Sequence, residues 1–322
     1  MWKIADVEIK NDIVLAPMAG ITSRAYRKFM RKFGVSLIYT EMISDHGICY
    51  GNEETLTYLD IGEEESPIAI QLFGSDIEYL TKAIKYIDEK NIPHDFIDIN
   101  LGCPVPKVTK SGAGSKLLTN LNYLEKLMSQ VVKTSEKPVT AKIRLGFDNE
   151  HINVFETIQV LEKVGVKAIA LHARTAKELY SGLPHYDLIE GLGSKMKVPL
   201  IISGNIFSVK DAIEAKRISH ASAIMVARGA LGNPELISNI LHYEKTGEVK
   251  EEIDLKKQKE YCLDLAKLLI LEKGEERAMK LLRGIAPKFF FGMNNVKSLR
   301  KSLAENLSSY EDLENVLDEY IS

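Results

Sequence analysis

Eight short apolar runs recur along the chain, each followed by a turn and then by a segment of helical periodicity. They are Ile13 to Ala16, Leu37 to Thr40, Ile68 to Leu72, Phe96 to Asn100, Val139 to Ile143, Ala168 to His172, Leu200 to Ser203 and Ala223 to Val226. Parallel strands need helical crossovers, and eight of them close a ring. The pattern therefore predicts an α/β chain folded as a (β/α)8 TIM barrel. An open doubly wound sheet would carry a Gly-rich dinucleotide fingerprint after its first strand, and Leu15-Ala16-Pro17-Met18-Ala19-Gly20 is not one.

After Pro234 the β signal disappears. Leu255 to Leu271, Glu276 to Phe291, Asn295 to Glu305 and Ser309 to Ile321 read as helices, and Ser308 with Glu311 offers a capping box for the last. The chain is expected to divide near residue 245, into a barrel of residues 1–245 and a small all-helical C-terminal domain of residues 246–322. A length of 322 residues accommodates both.

The three cysteines, Cys49, Cys103 and Cys262, are widely spaced and odd in number, which suits neither a disulfide framework nor a zinc site. A reducing cytoplasm is the expected home. No signal peptide opens the chain, and no apolar run reaches membrane-spanning length. The net charge of −3 conceals strong segregation. Arg277, Lys280, Arg283, Lys288, Lys297, Arg300 and Lys301 form one run without an acid, and Arg24, Arg27, Lys28, Arg31 and Lys32 form another. Acids collect at Asp60 to Glu65, Glu248 to Asp254 and Glu305 to Glu319. Basic runs usually mark solvated helix faces, yet two in a slightly acidic chain point toward a polyanion partner.

In a barrel the C-terminal strand ends converge on one mouth, so the residues there can be read together. They are Pro17-Met18, Glu41, Gln71, Asn100 with Cys103, Lys142 with Arg144, His172 with Arg174, Gly204-Asn205, and Ala227-Arg228-Gly229. Any one alone has a structural reading: an ion-paired Lys142, a satisfied core His172, a barrel-filling Gln71, a buried inert Cys103. Their common location favours a site. Ser203-Gly204-Asn205 and Ala227-Arg228-Gly229 offer the backbone amides with which barrels bind phosphate. A lysine and an amide nearby suit a flat ring with carbonyl and imide edges, so FMN is expected. No carboxylate or histidine cluster has metal-ligand spacing, so no metal is called for.

Leu15-Ala16-Pro17-Met18-Ala19-Gly20, Gln71-Leu72-Phe73-Gly74, Asn100-Leu101-Gly102-Cys103-Pro104, Lys142-Ile143-Arg144, His172-Ala173-Arg174-Thr175 and Ala227-Arg228-Gly229 resemble the bacterial tRNA-dihydrouridine synthases, from about residue 12 onward. The resemblance implies an FMN enzyme that uses NADPH to reduce the C5–C6 double bond of D-loop uridines in tRNA. It assigns FMN binding to Ala16, Pro17, Met18, Gln71, Lys142, His172, Ser203, Gly204, Asn205, Ala227 and Arg228, and proton donation to Cys103. It places Asn100, Arg144 and Arg174 at the flipped uridine, and Lys280, Arg283 and Lys288 in a helical tRNA-binding domain. Two departures weaken single assignments: the family often has Asn-Gly-Asp at Ser203-Gly204-Asn205, and Gly-Arg at Ala227-Arg228.

The chemistry agrees. Hydride addition at C6 of uracil leaves an enolate that must be protonated at C5, and a thiol with a pKa of about 8.5 is protonated at neutral pH where a carboxylate is not. Lys142 and His172 are expected on the flavin side, since a cation beside Cys103 would favour the thiolate. Turning the base out of folded RNA costs a few kcal/mol, offset by phosphate contacts to which Lys107, Lys110 and Lys116 are candidates. The protein is expected to act as a monomer. Rival readings are a dihydroorotate-dehydrogenase-like FMN enzyme acting on a free pyrimidine, and a non-catalytic RNA-binding barrel.

Overall fold

The computed structural model describes residues 1–250, 253–305 and 307–321. Glu251 and Glu252 of the second acidic run lie outside the described residues. A hairpin of β1 (Trp2–Ile4) and β2 (Val7–Ile9) comes first, then β3 (Ile13–Leu15), β4 (Ile38–Tyr39) and β5 (Ile43–Ser44). There follow β6 (Ile68–Phe73), β7 (Phe96–Asn100), β8 (Val139–Arg144), β9 (Ala168–His172), β10 (Leu200–Ser203) and β11 (Ala223–Val226). All pairings between strands beyond the hairpin are parallel, in the order β3-β11-β10-β9-β8-β7-β6-β4, with β5 also on β6. A bridge between Val14 and Leu37 joins the two ends, so the eight expected strands form a nearly closed barrel.

Alternation along each strand sorts the side chains. Ile68, Ile70, Leu72, Ile97, Ile99, Ile143, Ile169, Leu171, Ile202, Ile224 and Val226 face outward into the layer beneath the helices. Ala69, Phe96, Ala168, Ala170, Ile201, Ala223 and Met225 face inward and fill the lower barrel. Ile4 and Ile9 of the hairpin belong to that inner cluster, which places the hairpin at its base. The sequence reading missed the hairpin and β5, because two- and three-residue strands give too few positions for a period to show. Gln71, Asp98, Asn100, Lys142, Arg144 and His172 continue the inward register upward to the mouth.

The main crossovers are α1 (Arg24–Arg31), α4 (Ile77–Glu89), α6 (Leu121–Thr134), α7 (Val154–Lys163) and α8 (Val209–Ser219), with α9 (Glu235–Thr246) after the last strand. Shorter turns of helix are α2 (Asp45–Cys49), α3 (Glu53–Thr57) and α5 (Pro106–Thr109). Beyond residue 250 only helices occur among the described residues: α10 (Leu255–Lys273), α11 (Glu275–Phe289), α12 (Lys297–Glu305) and α13 (Tyr310–Tyr320). The last is capped one residue later than expected: Ser309 Oγ accepts from Asp312 N at 3.1 Å, while Asp312 accepts from Ser309 N at 2.9 Å.

The helical segment is fastened to α1. Phe29 meets Phe33 edge-on at 5.2 Å and Phe289 at 6.3 Å, and Phe33 meets Tyr261 at 5.0 Å. The Glu272 carboxylate accepts from Ser23 Oγ at 3.0 Å and Ala25 N at 2.6 Å, satisfying donors at the start of α1. Gly232, with φ at 81°, lets the α11 backbone approach so closely that a Cβ there would lie 2.3 Å from the Lys288 carbonyl carbon.

The basic run on α1 is not a polyanion face. Arg27 and Glu65 are both buried and joined by two hydrogen bonds, 2.6 and 3.0 Å long. Arg31 donates to the carbonyls of Val35, Glu65 and Pro67. Arg24 pairs with Asp60 and Glu64, and Lys32 with Asp264. Only Lys28 of the five is left exposed without such a role. Removing one partner of a buried pair strands the other charge, so Glu65→Ala is expected to lower unfolding stability by about 3–5 kcal/mol in denaturant titrations. Unchanged stability would return Arg27 to the pool of cations available for a ligand.

Candidate active site

Asn100 ends β7, and its side chain shapes the loop beyond. Its Oδ1 accepts from Gly102 N at 3.1 Å and Cys103 N at 2.8 Å, which folds the chain back so that Cys103 overhangs the strand end. Leu101 N donates to Lys142 O at 2.8 Å, seating the loop on β8. From the far side, Ser115 donates to Cys103 O through both N and Oγ, at 3.1 and 3.0 Å. Gly114, at φ 60°, permits that approach, for a Cβ there would lie 2.7 Å from Cys103 O.

Ala16, Pro17, Met18, Gln71, Asn100, Cys103, Lys142, Arg144, His172, Ser203, Gly204, Asn205, Ala227 and Arg228 all line one cavity of about 350 Å3. Burial pushes the Cys103 thiol up, against the pull of the Val105 backbone hydrogen bond, Arg144 and Lys142. It is therefore a thiol at neutral pH, although Lys142 is near enough to act on it. Lys142 itself is brought down to about 8 by burial and by Arg144, with Asp98 and Cys103 opposing. His172 is held well below the usual range by burial and by Lys142, Arg144, Arg174 and Arg228, so it is neutral. Its Nε2 lies 3.2 Å from Arg174 Nη1, which places the imidazole proton on Nδ1.

Two arginines depart from expectation in different degrees. Arg174 does not line the cavity: it is fully buried, and it donates to the carbonyls of Ser181 and Gly182 and toward His172. With those donors committed, Arg174 braces the loop after β9 and leaves the mouth to its neighbours. Arg144 lines the cavity while donating to Gly102 O, Thr175 O and Leu179 O, which spends three of its five donors. Glu41 sits below the rim, accepting from Gly20 N, and lines a separate groove.

That second groove, of about 960 Å3, runs between the β3 loop and the helical segment. Arg24, Lys273, Arg277 and Lys280 face it, as do Glu53, Glu54, Asp60 and Glu272. Of the three helical cations singled out, Lys280 lies here with Glu276 beside it, and Lys288 is exposed at the end of α11. Arg283 instead donates to Leu307 O at 2.8 Å, holding the helices to one another.

Sequence reading missed Tyr180, which is half exposed, lines the cavity and takes Arg228 over its ring at 4.4 Å and Arg144 at 5.6 Å. Met42, Phe207 and Ile206 also line the cavity. All four lie on loops, where no periodicity marks them. Among the described residues no group of three His, Cys, Asp or Glu side chains is placed to hold a metal.

A nearly closed parallel barrel with a thiol, a lysine and two arginines converging on a cavity at the C-terminal strand ends belongs to the (β/α)8 enzymes. The chain belongs to the dihydrouridine synthase family, whose model, described as "Dihydrouridine synthase (Dus)", matches residues 14–322. Membership makes it an FMN-dependent oxidoreductase. It is similar to a probable tRNA-dihydrouridine synthase of Rickettsia bellii, 31% identical over 93% of this chain and 92% of that protein. It is also similar to the tRNA-dihydrouridine synthase B of Shewanella oneidensis, 32% identical over 87% of each. Among solved structures, the old yellow enzyme homologue of Zymomonas mobilis has a TM-score of 0.54 at 13% identity, covering 78% of this chain and 93% of that one. Histamine dehydrogenase of Rhizobium sp. 4-9 has a TM-score of 0.56 at 12% identity, over 83% and 50%. These two share the fold.

The donor set fits FMN, since Lys142, Arg144 and Arg228 crowd a cavity whose wall gives them no carboxylate, and an anionic flat ligand answers that imbalance. Burial brings the Lys142 ammonium down to about 8, so its cation is present below that pH and lost above it. If it holds the flavin, FMN should dissociate about tenfold more readily at pH 9 than at pH 7. Equilibrium titration of flavin-free protein measures this, and Lys142→Met should flatten the dependence. A wild-type affinity that stays level across pH 8 would remove Lys142 from the cofactor contacts.

Proposed function

We propose that the protein reduces the C5–C6 bond of D-loop uridines in tRNA, with FMN as cofactor, NADPH as reductant and Cys103 as proton donor. The reading is carried by the placement of a thiol that burial keeps protonated in the same cavity as the cations that suit a flavin. When bound, FMN supplies the hydride for C6 of uracil and is replenished by NADPH. Ala16, Pro17, Met18, Gln71, Lys142, His172, the backbone of Ser203 to Asn205, Ala227 and Arg228 hold it. Cys103 gives its proton to C5 and recovers one from water. Arg144, with donors to spare, and Asn100 face the uracil carbonyls. Arg174 supports them through the loop that carries Tyr180.

Residues 246–322 form the tRNA-binding unit, with Arg277, Lys280 and Lys288 toward the phosphates. The exposed Lys107, Lys110 and Lys116 on the rim add to them. Such contacts release counterions, so binding weakens steeply with salt. The protein works as a monomer in the cytoplasm.

In a reaction of purified protein, NADPH and tRNA lacking dihydrouridine, mass spectrometry is expected to show the modified base in the D-loop. Cys103→Ala should keep its flavin absorbance and its tRNA affinity while dihydrouridine formation falls by about a hundredfold or more. Full activity in that variant would refute the donor assignment. Reduction of free pyrimidines with no reaction on tRNA would overturn the substrate.

A further inference from the structure

Asp98 takes no part in the scheme above, yet it is a fully buried carboxylate at the barrel axis, directly below the site. Its neighbours in register are Gln71 on β6 and Thr140 on β8. Thr140 Oγ1 donates to Asp98 Oδ1 at 2.6 Å, and Gln71 Nε2 donates to Asp98 Oδ2 at 2.7 Å. Asn100 Nδ2 donates to Gln71 Oε1 at 2.8 Å, and Asn100 Oδ1 takes the amide protons of Gly102 and Cys103. One unbroken chain thus joins the carboxylate to the backbone of the thiol.

A carboxylate only accepts, whereas each carboxamide can turn either way. The anion obliges Gln71 to present its NH2 downward and its oxygen to Asn100. Asn100 must then present its NH2 to Gln71 and its oxygen to the loop. Were Gln71 to turn over, Asn100 would set an NH2 against two N–H groups, and the loop holding Cys103 would lose its anchor. We propose that Asp98 is a positioning residue, which through Gln71 and Asn100 sets the orientation of the Cys103 loop toward the pyrimidine. Burial raises the Asp98 carboxyl to about 6, which leaves it mostly ionised at neutral pH, as the role requires. The inference rests on the proposed reaction for its kinetic consequence alone.

Three variants separate this role from simple packing. Asp98→Leu removes the acceptor. Asp98→Asn can keep its oxygen toward Gln71 if its NH2 turns to Thr140, whose hydroxyl then accepts. Asp98→Asn with Thr140→Val abolishes that arrangement. Two readouts apply: the alkylation rate of Cys103 by iodoacetamide in flavin-free protein, followed on its own peptide by mass spectrometry, and single-turnover oxidation of the reduced enzyme by tRNA set against its reduction by NADPH. Asp98→Leu and the double variant should change Cys103 alkylation more than threefold and slow the tRNA step at least tenfold more than the NADPH step. Asp98→Asn should stay within threefold of wild type in both. Should Asp98→Leu fail to fold, the double variant decides. Alkylation within twofold of wild type in the double variant would overturn the proposal, as would equal slowing of both steps. If wild-type protein is inert toward tRNA, the proposed function fails, and the alkylation series still reports on the relay.

Discussion

Lys142, Arg144, His172 and Arg228 face the upper cavity of the barrel, and the inward-facing carboxylate beneath them is Asp98. The rest of the site follows from this imbalance. Charges desolvated together must neutralise, pair or await a ligand. His172 neutralises, and Arg174 next to it spends its donors on carbonyls. Lys142 keeps its proton at pH 7 by a narrow margin. Against that background the Cys103 thiol is still pushed up, because its own burial outweighs the nearby cations. The same low-dielectric enclosure therefore leaves the cations in want of an anionic ligand and holds the thiol in its protonated form beside them.

The barrel was legible because its information is redundant. Eight strand cores from Ile13 to Val226 repeat one period, and every inward polar residue near a strand end falls at the same mouth. The C-terminal helices were likewise visible, to within a residue or two, because each spans several turns of apolar spacing. Where a reading needed the identity of a partner, the sequence was mute. Arg27 and Lys28 are adjacent basic residues on one helix, yet the first is sealed against Glu65 and the second faces water. Nothing in their order distinguishes them, since Glu65 comes from a distant loop. Arg174 and Arg144 present the same problem: both follow strand ends, and only the fold shows that the loop carbonyls of Ser181 and Gly182 claim the former.

Tyr180 illustrates a different limit. It lies on the long connection after β9, whose shape is fixed by contacts rather than by propensity. Glu178 accepts from Thr175 N at 2.7 Å and from His185 at 2.6 Å, Arg174 donates to Ser181 and Gly182, and Tyr186 donates to Gly204 O. These bonds carry an exposed aromatic ring over two cations. A residue positioned by so many non-local partners leaves no local signature to read.

The distribution of cations left over after folding decides how a polyanion can approach. Pairing removes four of the five basic residues at α1, and the groove beside them is walled partly by Glu53, Glu54 and Asp60. An RNA backbone entering from that side would meet like charge, which is costly at close range and weakly screened inside a groove. Lys107, Lys110 and Lys116, beside the loop of Cys103, and Arg277, on the helical wall, remain available, while Lys280 is paired with Glu276. The counter-charges that folding leaves for a polyanion therefore lie on the segment after β7 and on α11 rather than on α1.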